Sequence, residues 1–347
     1  MTSIRDIAKM AGVSAASVSR ILNNDQTFSI NENTRQRVID VANKANYSTD
    51  KNRRGVRSVG DDLTIALIVR HSEESEINDP YFQHIRLGIE KEAAKWRLRV
   101  VRAFRMHDED KDWEQLQKYG AVIMIGDMTT DALEKIYGYN QKLILVDNYA
   151  NHPKYDCIQT DFDAKTHEIL TVLHENHHEN IAFIGGLGSK VNMAGQSVRY
   201  TEEIRAEHYR EWMKLHNLER FSAVYQGNWS TEDAVELAEQ MLATTPRPTA
   251  VVVASDPMAV GVYKAISDAG LKIPEDISVA SFDDIQMAKF MVPSLTSIWM
   301  NAEEMGRLAV TLSKERILGE RSMPIRVTCA SELKVRGSVG KRSSLNN

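Results

Sequence analysis

Residues 4–22, IRDIAKMAGVSAASVSRIL, admit few folds, because two short helical patterns stand only about three residues apart. Ile4, Ile7, Ala8 and Ala11 follow the i, i+3, i+4, i+7 spacing of a helix with one buried stripe, and Ser3 with Asp6 makes a capping-box-like start. Gly12 stands where the first helix needs a left-handed residue to stop. Val13 and Val18 are placed to form a hydrophobic staple around an N-cap at Ser14. The second helix turns Val18, Ile21 and Leu22 inward, leaving Ala15, Ala16, Ser17, Ser19 and Arg20 near the other face or the exposed first turn. A third helix from about Glu32 to Ala45 buries Val38, Val41, Ala42 and Ala45, which completes an all-α three-helix head.

Two helices joined by a tight glycine turn, the second opening on small residues and one arginine, have helix-turn-helix geometry. Ser14 and Ala15 are small enough for a phosphate to approach the positive end of the second helix. Arg20 can offer two donors to guanine or grip a phosphate, while Ser14, Ser17, Ser19 and Asn23 reach backbone oxygens or base edges. Charge is distributed accordingly. Residues 1–60 hold ten Lys/Arg against five Asp/Glu, whereas the rest of the 347-residue chain holds 33 against 43. A basic module that meets a polyanion is thus joined to an acidic body with another task. Read from the residues alone, a three-helix bundle that binds nothing is the alternative.

From Leu63 onward, short β-branched runs alternate with helix-length segments: LTIALIV, LRVVRAF, AVIMIG and LILVD, then NIAFIGG, AVYQG, AVVVASD and ISVASFDD. This order predicts an α/β body of two similar lobes, parallel sheets carrying helices on both faces, with a ligand cleft at the strand carboxyl ends. Asp79, Tyr81 and Phe82 follow the first strand, Asp127 the third, Asp147 the fourth and Asp161 the fifth. Ser255 with Asp256, and Asp283 with Asp284, end two strands of the second lobe. Acceptors, donors and aromatic faces converging in one cleft suit a neutral sugar, which presents adjacent hydroxyls on an otherwise apolar ring. Taken singly, each such Asp reads as a helix cap or a turn residue.

Other signals are excluded by context. No run approaches the roughly 18 apolar residues of a membrane span, and the N-terminus lacks the order of a secretory signal, which predicts a cytoplasmic protein without a membrane partner. Cys157 and Cys329 read as reduced, buried thiols. HENHH at 174–178 matches HExxH, but Asn176 stands where the helix should stop in a left-handed turn, so His174 and His178 would not share a face. GGLGSK lacks P-loop spacing and reads as loop glycines, and no GxSxG elbow is present. No catalytic residue, metal site or cofactor is expected. A sugar-processing or sugar-binding two-lobe protein with an appended DNA-binding head is the alternative reading.

IRDIAKMAGVSAASVSRILN resembles the head of the LacI/GalR family, whose pattern runs IxDIAxxAGVSxxTVSRVLN, and TRQRVIDVANKANY is similar to that family's third helix. The resemblance implies a dimeric, sugar-responsive repressor on a palindromic operator, with a periplasmic-binding-protein-like type I body. It places Ala15 and Ala16 at base-reading positions beside Arg20, and Ser3, Ser14, Asn23, Thr34 and Tyr47 on phosphates. The family's hinge leucine is absent from STDKNRRGVRSVGDD, which reads either as a hinge helix with Val56 as wedge or as a flexible basic linker using Lys51, Arg53, Arg54 and Arg57. In the body, TAVVVASDPMAVGVYKAISDAGLKIPEDISVASFDD is similar to the family's effector-facing signature. The resemblance implies effector contacts at Asp161, Arg205, Ser255 and Asp283, with Trp299 or Met300 on the returning segment; Arg205 lies in EEIRAEHYREWM with Glu203 as its acidic partner. The long SEESEINDPYFQHIRLGIEKE segment is similar to a subgroup of Gram-positive galactose and β-galactoside repressors, making such a sugar the expected effector. The expected limits are a head at 1–49, a basic linker at 50–61, a body at 62–340 and a tail at 341–347. Lobe one is expected to hold 62–160 plus 291–323, and lobe two 161–290 plus 324–340. The helix from Tyr81 to Trp96 is a candidate dimer contact, and the tail carries no leucine heptad for a coiled-coil tetramer.

Overall fold

In the head, Gly12 adopts φ +64° between α1 (Ile4–Ala11) and α2 (Ala15–Leu22), the left-handed turn that its lack of a side chain permits. This is a computed structural model, and it describes residues 4–22, 28, 30–44, 63–149, 152–199 and 203–342. Val13 N donates to Ala8 O at 3.0 Å, and Ser14 caps α2 by accepting from Ser17 N at 3.0 Å. Asn31 opens α3 (Glu32–Lys44) and accepts from Asn33 N at 2.9 Å. Ile7, Val18 and Val38 are fully enclosed among Ala8, Ala11, Ile21 and Ala42. Arg37 Nε donates to Ala11 O, covering a carbonyl that the end of α1 leaves without a partner. Leu22 and Val41, expected inside, are only partly buried.

The chain separates into two units, Met1–Gly60 and Asp61–Asn347. The second unit runs β1 (Thr64–Val69), α4 (Glu73–Asn78), α5 (Pro80–Trp96), β2 (Arg99–Arg105), β3 (Ala121–Ile125), α6 (Thr130–Tyr139), β4 (Leu143–Val146) and β5 (Asp156–Thr160). It continues through α7 (Phe162–Glu175), β6 (Ile181–Gly186), the hairpin β7 (Ser189–Val191) and β8 (Ser197–Arg199), α8 (Ile204–Leu215), β9 (Ala223–Gly227) and α9 (Thr231–Leu242). The last elements are β10 (Ala250–Val253), α10 (Asp256–Asp268), β11 (Ser278–Asp283), β12 (Thr296–Trp299), α11 (Ala302–Leu318), β13 (Arg326–Cys329) and β14 (Glu332–Lys334).

One sheet has the order β13-β5-β4-β3-β1-β2 with every pairing parallel; the other is β14-β12-β11-β10-β6-β9, parallel except for β14. The inner strands β1, β3, β4 and β10 are buried along their whole length, which is why they read as unbroken apolar runs. Two segments exchange lobes relative to expectation. β12, expected in lobe one, pairs with β11 of the second sheet, and β13, expected in lobe two, pairs with β5 of the first. The chain therefore crosses between lobes after β5, after β12 and between β13 and β14. Asn301, at φ +52°, makes the turn after β12 that sends α11 back onto α5 and the first sheet.

The helix of HENHH ends at Glu175, but the left-handed residue is His177 at φ +68° and not Asn176. His178 Nδ1 lies 3.0 Å from Thr249 Oγ1 and its Nε2 3.0 Å from Gly340 O, so both ring nitrogens serve the fold. Cys157 and Cys329 are free and buried. Gly185 and Gly186 end β6, as the NIAFIGG run predicts, so the reading of GGLGSK as loop glycines fails for its first two residues.

Candidate functional site

Arg205 stands in the first turn of α8 with almost no solvent exposure. Glu203 caps that helix by accepting from Arg205 N and Ala206 N at 3.0 and 3.1 Å, and its other oxygen accepts from Arg205 Nε at 2.7 Å. Arg205 Nη1 donates to Ala254 O at 2.7 Å. The guanidinium lies over three rings, with centroids at 4.4 Å for Phe162, 5.0 Å for Trp229 and 5.5 Å for Phe282. Burial by itself would lower the guanidinium pKa, but the charge of Glu203 and its hydrogen bond outweigh it and hold the group protonated.

Lobe one contributes carboxylates from its strand ends. Asp147, at φ +59° just past β4, accepts from Tyr81 Oη at 3.2 Å and Tyr149 Oη at 2.9 Å. Asp79 caps α5, accepting from Tyr81 N, and burial pushes its carboxyl up to about 6. Burial, together with the charge of Asp147, likewise pushes Asp127 up to about 6. The Oδ1 atom of Asp127 is shielded from solvent and meets no hydrogen-bond donor among the described residues. Asp283, at φ +102° and beside Trp299 in the β11–β12 register, is pushed well above the carboxylate range by burial, then by Asp79 and Asp256. Lys190, Arg70 and Arg205 provide the opposing positive charge. Acids already this reluctant to ionise would be further disfavoured by an anion, whereas a neutral ligand with several hydroxyls can donate to them.

Tyr81, Asp127, Arg205 and Asp283 are thus brought into one electrostatically coupled group with Asp79 and Asp147. Phe82 is half-buried and lies 3.8 Å from the His71 ring, edge-on to Tyr81. Burial and neighbouring Arg70 hold that imidazole at about 3, so it is neutral. Asp161 is differently employed: its Oδ1 accepts from Ser331 N at 3.1 Å, tying β5 to the last lobe crossing. Asp256 is scaffold too, accepting from Ser297 Oγ at 2.7 Å and Ile285 N at 2.8 Å. Ser255 occupies the N-cap position of α10 and is buried, but its side chain makes no capping bond. Of the pair Trp299 and Met300, the tryptophan is the accessible one, while Met300 joins the core.

Phe162, Trp229, Phe282, Tyr149 and Arg70 were not singled out from the sequence. Trp229 follows AVYQG as the named acids follow their strands, so the strand-end rule would have found it. A Cβ on Gly186 would fall 2.2 Å from the Trp229 ring, so only glycine lets the indole lie over the end of β6. The β7–β8 hairpin is tied to the strand ends of lobe one. Val191 N donates to Asp127 O at 3.2 Å, Thr129 N to Val191 O at 3.1 Å, and Arg70 Nη2 to Ser189 Oγ at 2.5 Å.

In the head, Ala16 and Arg20 are exposed, and Ala15, Ser17, Ser19 and Thr34 half-buried. Ser14 is exposed but its hydroxyl is engaged with Ser17 as the cap of α2. The Arg20 guanidinium lies 5.4 Å from the Phe28 ring centroid. Ser3, Asn23, Tyr47, Arg53 and Val56 lie outside the described residues.

Residues 3–50 match the model of bacterial regulatory proteins of the lacI family, and residues 170–339 match a periplasmic binding protein-like domain. The HTH-type transcriptional regulator GalR of Lacticaseibacillus casei is 32% identical over 342 residues, covering 97% of this chain and 99% of the relative. The chain belongs to the LacI family. Two solved structures share its fold. A transcriptional regulator CelR–cellobiose complex has a TM-score of 0.68 at 23% identity, covering 97% of this chain and 100% of that one. A lac repressor dimer bound to operator and an anti-inducer has a TM-score of 0.67 at 21% identity, covering 98% and 99%. As a LacI-family member the chain is an HTH-type transcriptional regulator, with α2 as the second helix of the motif. No helix among its described residues is long and apolar enough to cross a membrane.

Proposed function

We propose that this LacI-family regulator is a dimeric repressor of a sugar-utilisation operon, released from a palindromic operator when galactose or a β-galactoside enters the cleft. The observation that carries the reading is the pairing of Arg205, stacked on Phe162, Trp229 and Phe282, with acids of raised pKa from both lobes. Trp229, the exposed ring of the three, takes the apolar side of a sugar ring; Arg205, Asp79, Asp127 and Asp283 take its hydroxyls. Tyr81 and Tyr149 hold Asp147 in place. The relation to GalR and the CelR–cellobiose complex supports a sugar, and the operator-bound lac repressor dimer supports two heads on two half-sites about one helical turn apart. In this reading residues 1–49 are the head, 50–61 the linker, 62–340 the effector and dimerisation body, and 341–347 a tail. The protein acts in the cytoplasm and catalyses no reaction.

Release requires the sugar to favour the DNA-free conformation, typically by about 1–3 kcal/mol of coupling. A gel shift of the full chain on its own upstream DNA, against galactose, lactose and related sugars, tests this. A sugar-dependent loss of the complex is expected, and Arg205→Ala should bind DNA while ignoring sugar. A normal sugar response from Arg205→Ala would overturn the assignment of the site.

A further inference from the structure

A cluster of side chains able to ligate a metal lies on α7 and α8, next to the effector-facing residues but separate from them. Asp163 follows Phe162, His167 stands one turn further along α7, and His208 stands one turn beyond Arg205 on α8. One ligand atom from each of Asp163, His167 and His208 lies within 4.8 Å of the other two. The Asp163 carboxylate is 3.8 Å from His167 Nε2 and 3.5 Å from His208 Nδ1. Glu211, three residues after His208, places a carboxylate oxygen 2.9 Å from the same Nδ1. His167 Nε2 is itself shielded from solvent and has no hydrogen-bond partner among the described residues. A buried ring nitrogen without a partner is costly to leave unmade, which points to a ligand that it completes.

We propose that Asp163, His167 and His208, with Glu211 as fourth donor, form a Zn2+ site that clasps α7 to α8. Two imidazoles and two carboxylates are a donor set for a metal of intermediate softness rather than for Ca2+ or Mg2+. Zinc bonds of about 2.0–2.1 Å in a tetrahedron place neighbouring donors about 3.3 Å apart. Glu211–His208, Asp163–His208 and Asp163–His167, at 2.9, 3.5 and 3.8 Å, bracket that value, and rotation of the exposed Asp163 and Glu211 side chains must close the remaining separations. The pairs are spaced i, i+4 on α7 and i, i+3 on α8, which puts each on one helix face. The two helices run in the same direction, since Thr171 and His174 of α7 meet Trp212 and His216 at the far end of α8. Bound metal therefore fixes the near ends, one turn from Phe162 and Arg205.

The test uses the full chain stripped of metal with a chelator. Titration should show one Zn2+ bound per chain at micromolar concentration or tighter, and Co2+ should develop the visible d–d bands of a four-coordinate ion. His167→Ala and His208→Ala should each weaken Zn2+ at least tenfold and abolish the Co2+ bands, while His174→Ala and His216→Ala should leave both unchanged. Operator binding by each variant serves as the check that it is folded. No Zn2+ binding by the natural chain up to millimolar concentration, a six-coordinate Co2+ spectrum, or unchanged affinity in the His167→Ala/His208→Ala double variant would each overturn the proposal.

Discussion

At the scale of single residues, the site depends on buried charges held in mutual balance. Glu203 shows this most sharply, because one carboxylate both caps α8 and pairs with Arg205. Glu203→Ala removes the ion partner of a buried guanidinium, for which a loss of about 3–5 kcal/mol is the usual scale. The prediction is a lower urea midpoint for the full chain, with Arg205→Ala/Glu203→Ala less destabilised than the sum of the singles. Asp127 gives a pH signature. Its carboxyl moves from an ordinary 3.8 to about 6 on folding, so the native state holds the proton more tightly than the unfolded chain. That contribution is complete below about 4 and is lost as pH rises through about 6. Asp127→Asn does not titrate, so its stability relative to the natural chain should improve between pH 4.5 and 7 in thermal melts. A constant difference across that range would show that Asp127 is not shifted.

At the scale of elements, the tightest fit is the crossing of α5 and α11. A Cβ added at Gly88 would lie 2.0 Å from Glu303 O, and one at Gly306 would lie 2.0 Å from Ile85 O. Neither approach tolerates a methyl group, and the obstacle in each case is backbone. Gly306→Ala is expected to destabilise by at least about 1–3 kcal/mol, the usual cost of overpacking, read as a fall in the denaturation midpoint. Gly88→Ala should act alike and combine less than additively, because both press on one crossing. Nothing in LGIEKE or EEMGRLA marks these glycines, since the partner helix is over 200 residues away in sequence. The inner strands were legible because burial on both faces leaves them wholly apolar. The lobe membership of β12 and β13 was not: RVTC is an edge strand with mixed exposure, TSIW an inner one, and periodicity names neither one's partner. The acids of the cleft were legible singly as strand ends. Their aromatic wall was not, because Phe162, Trp229 and Phe282 come from three separate segments that only the fold brings to Arg205.

At the scale of the whole molecule, a basic head is carried on an acidic body, so attraction to DNA must come from the first sixty residues. Such attraction is sequence-independent and falls with salt, by about 0.9 in log affinity per log salt for each phosphate neutralised. Specificity needs other groups, and α2 offers few. Ala15 and Ala16 can touch thymine methyls but form no hydrogen bonds to bases, whereas Arg20 is exposed on the same helix and carries a planar fork suited to guanine. Its position near the Phe28 ring limits the rotamers it must give up on binding. Arg20 is therefore expected to supply most of the direct base reading by α2. Arg20→Ala should lose about 1–3 kcal/mol of affinity for the operator while binding to unrelated DNA falls far less, and the salt dependence of operator binding should stay nearly constant. Fluorescence anisotropy on operator and scrambled duplexes at several salt concentrations separates the cases. An equal loss on both duplexes, with the salt slope reduced by about 0.9 for each lost contact, would make Arg20 a phosphate clamp. Operator choice would then rest on DNA shape and on the spacing of the two heads.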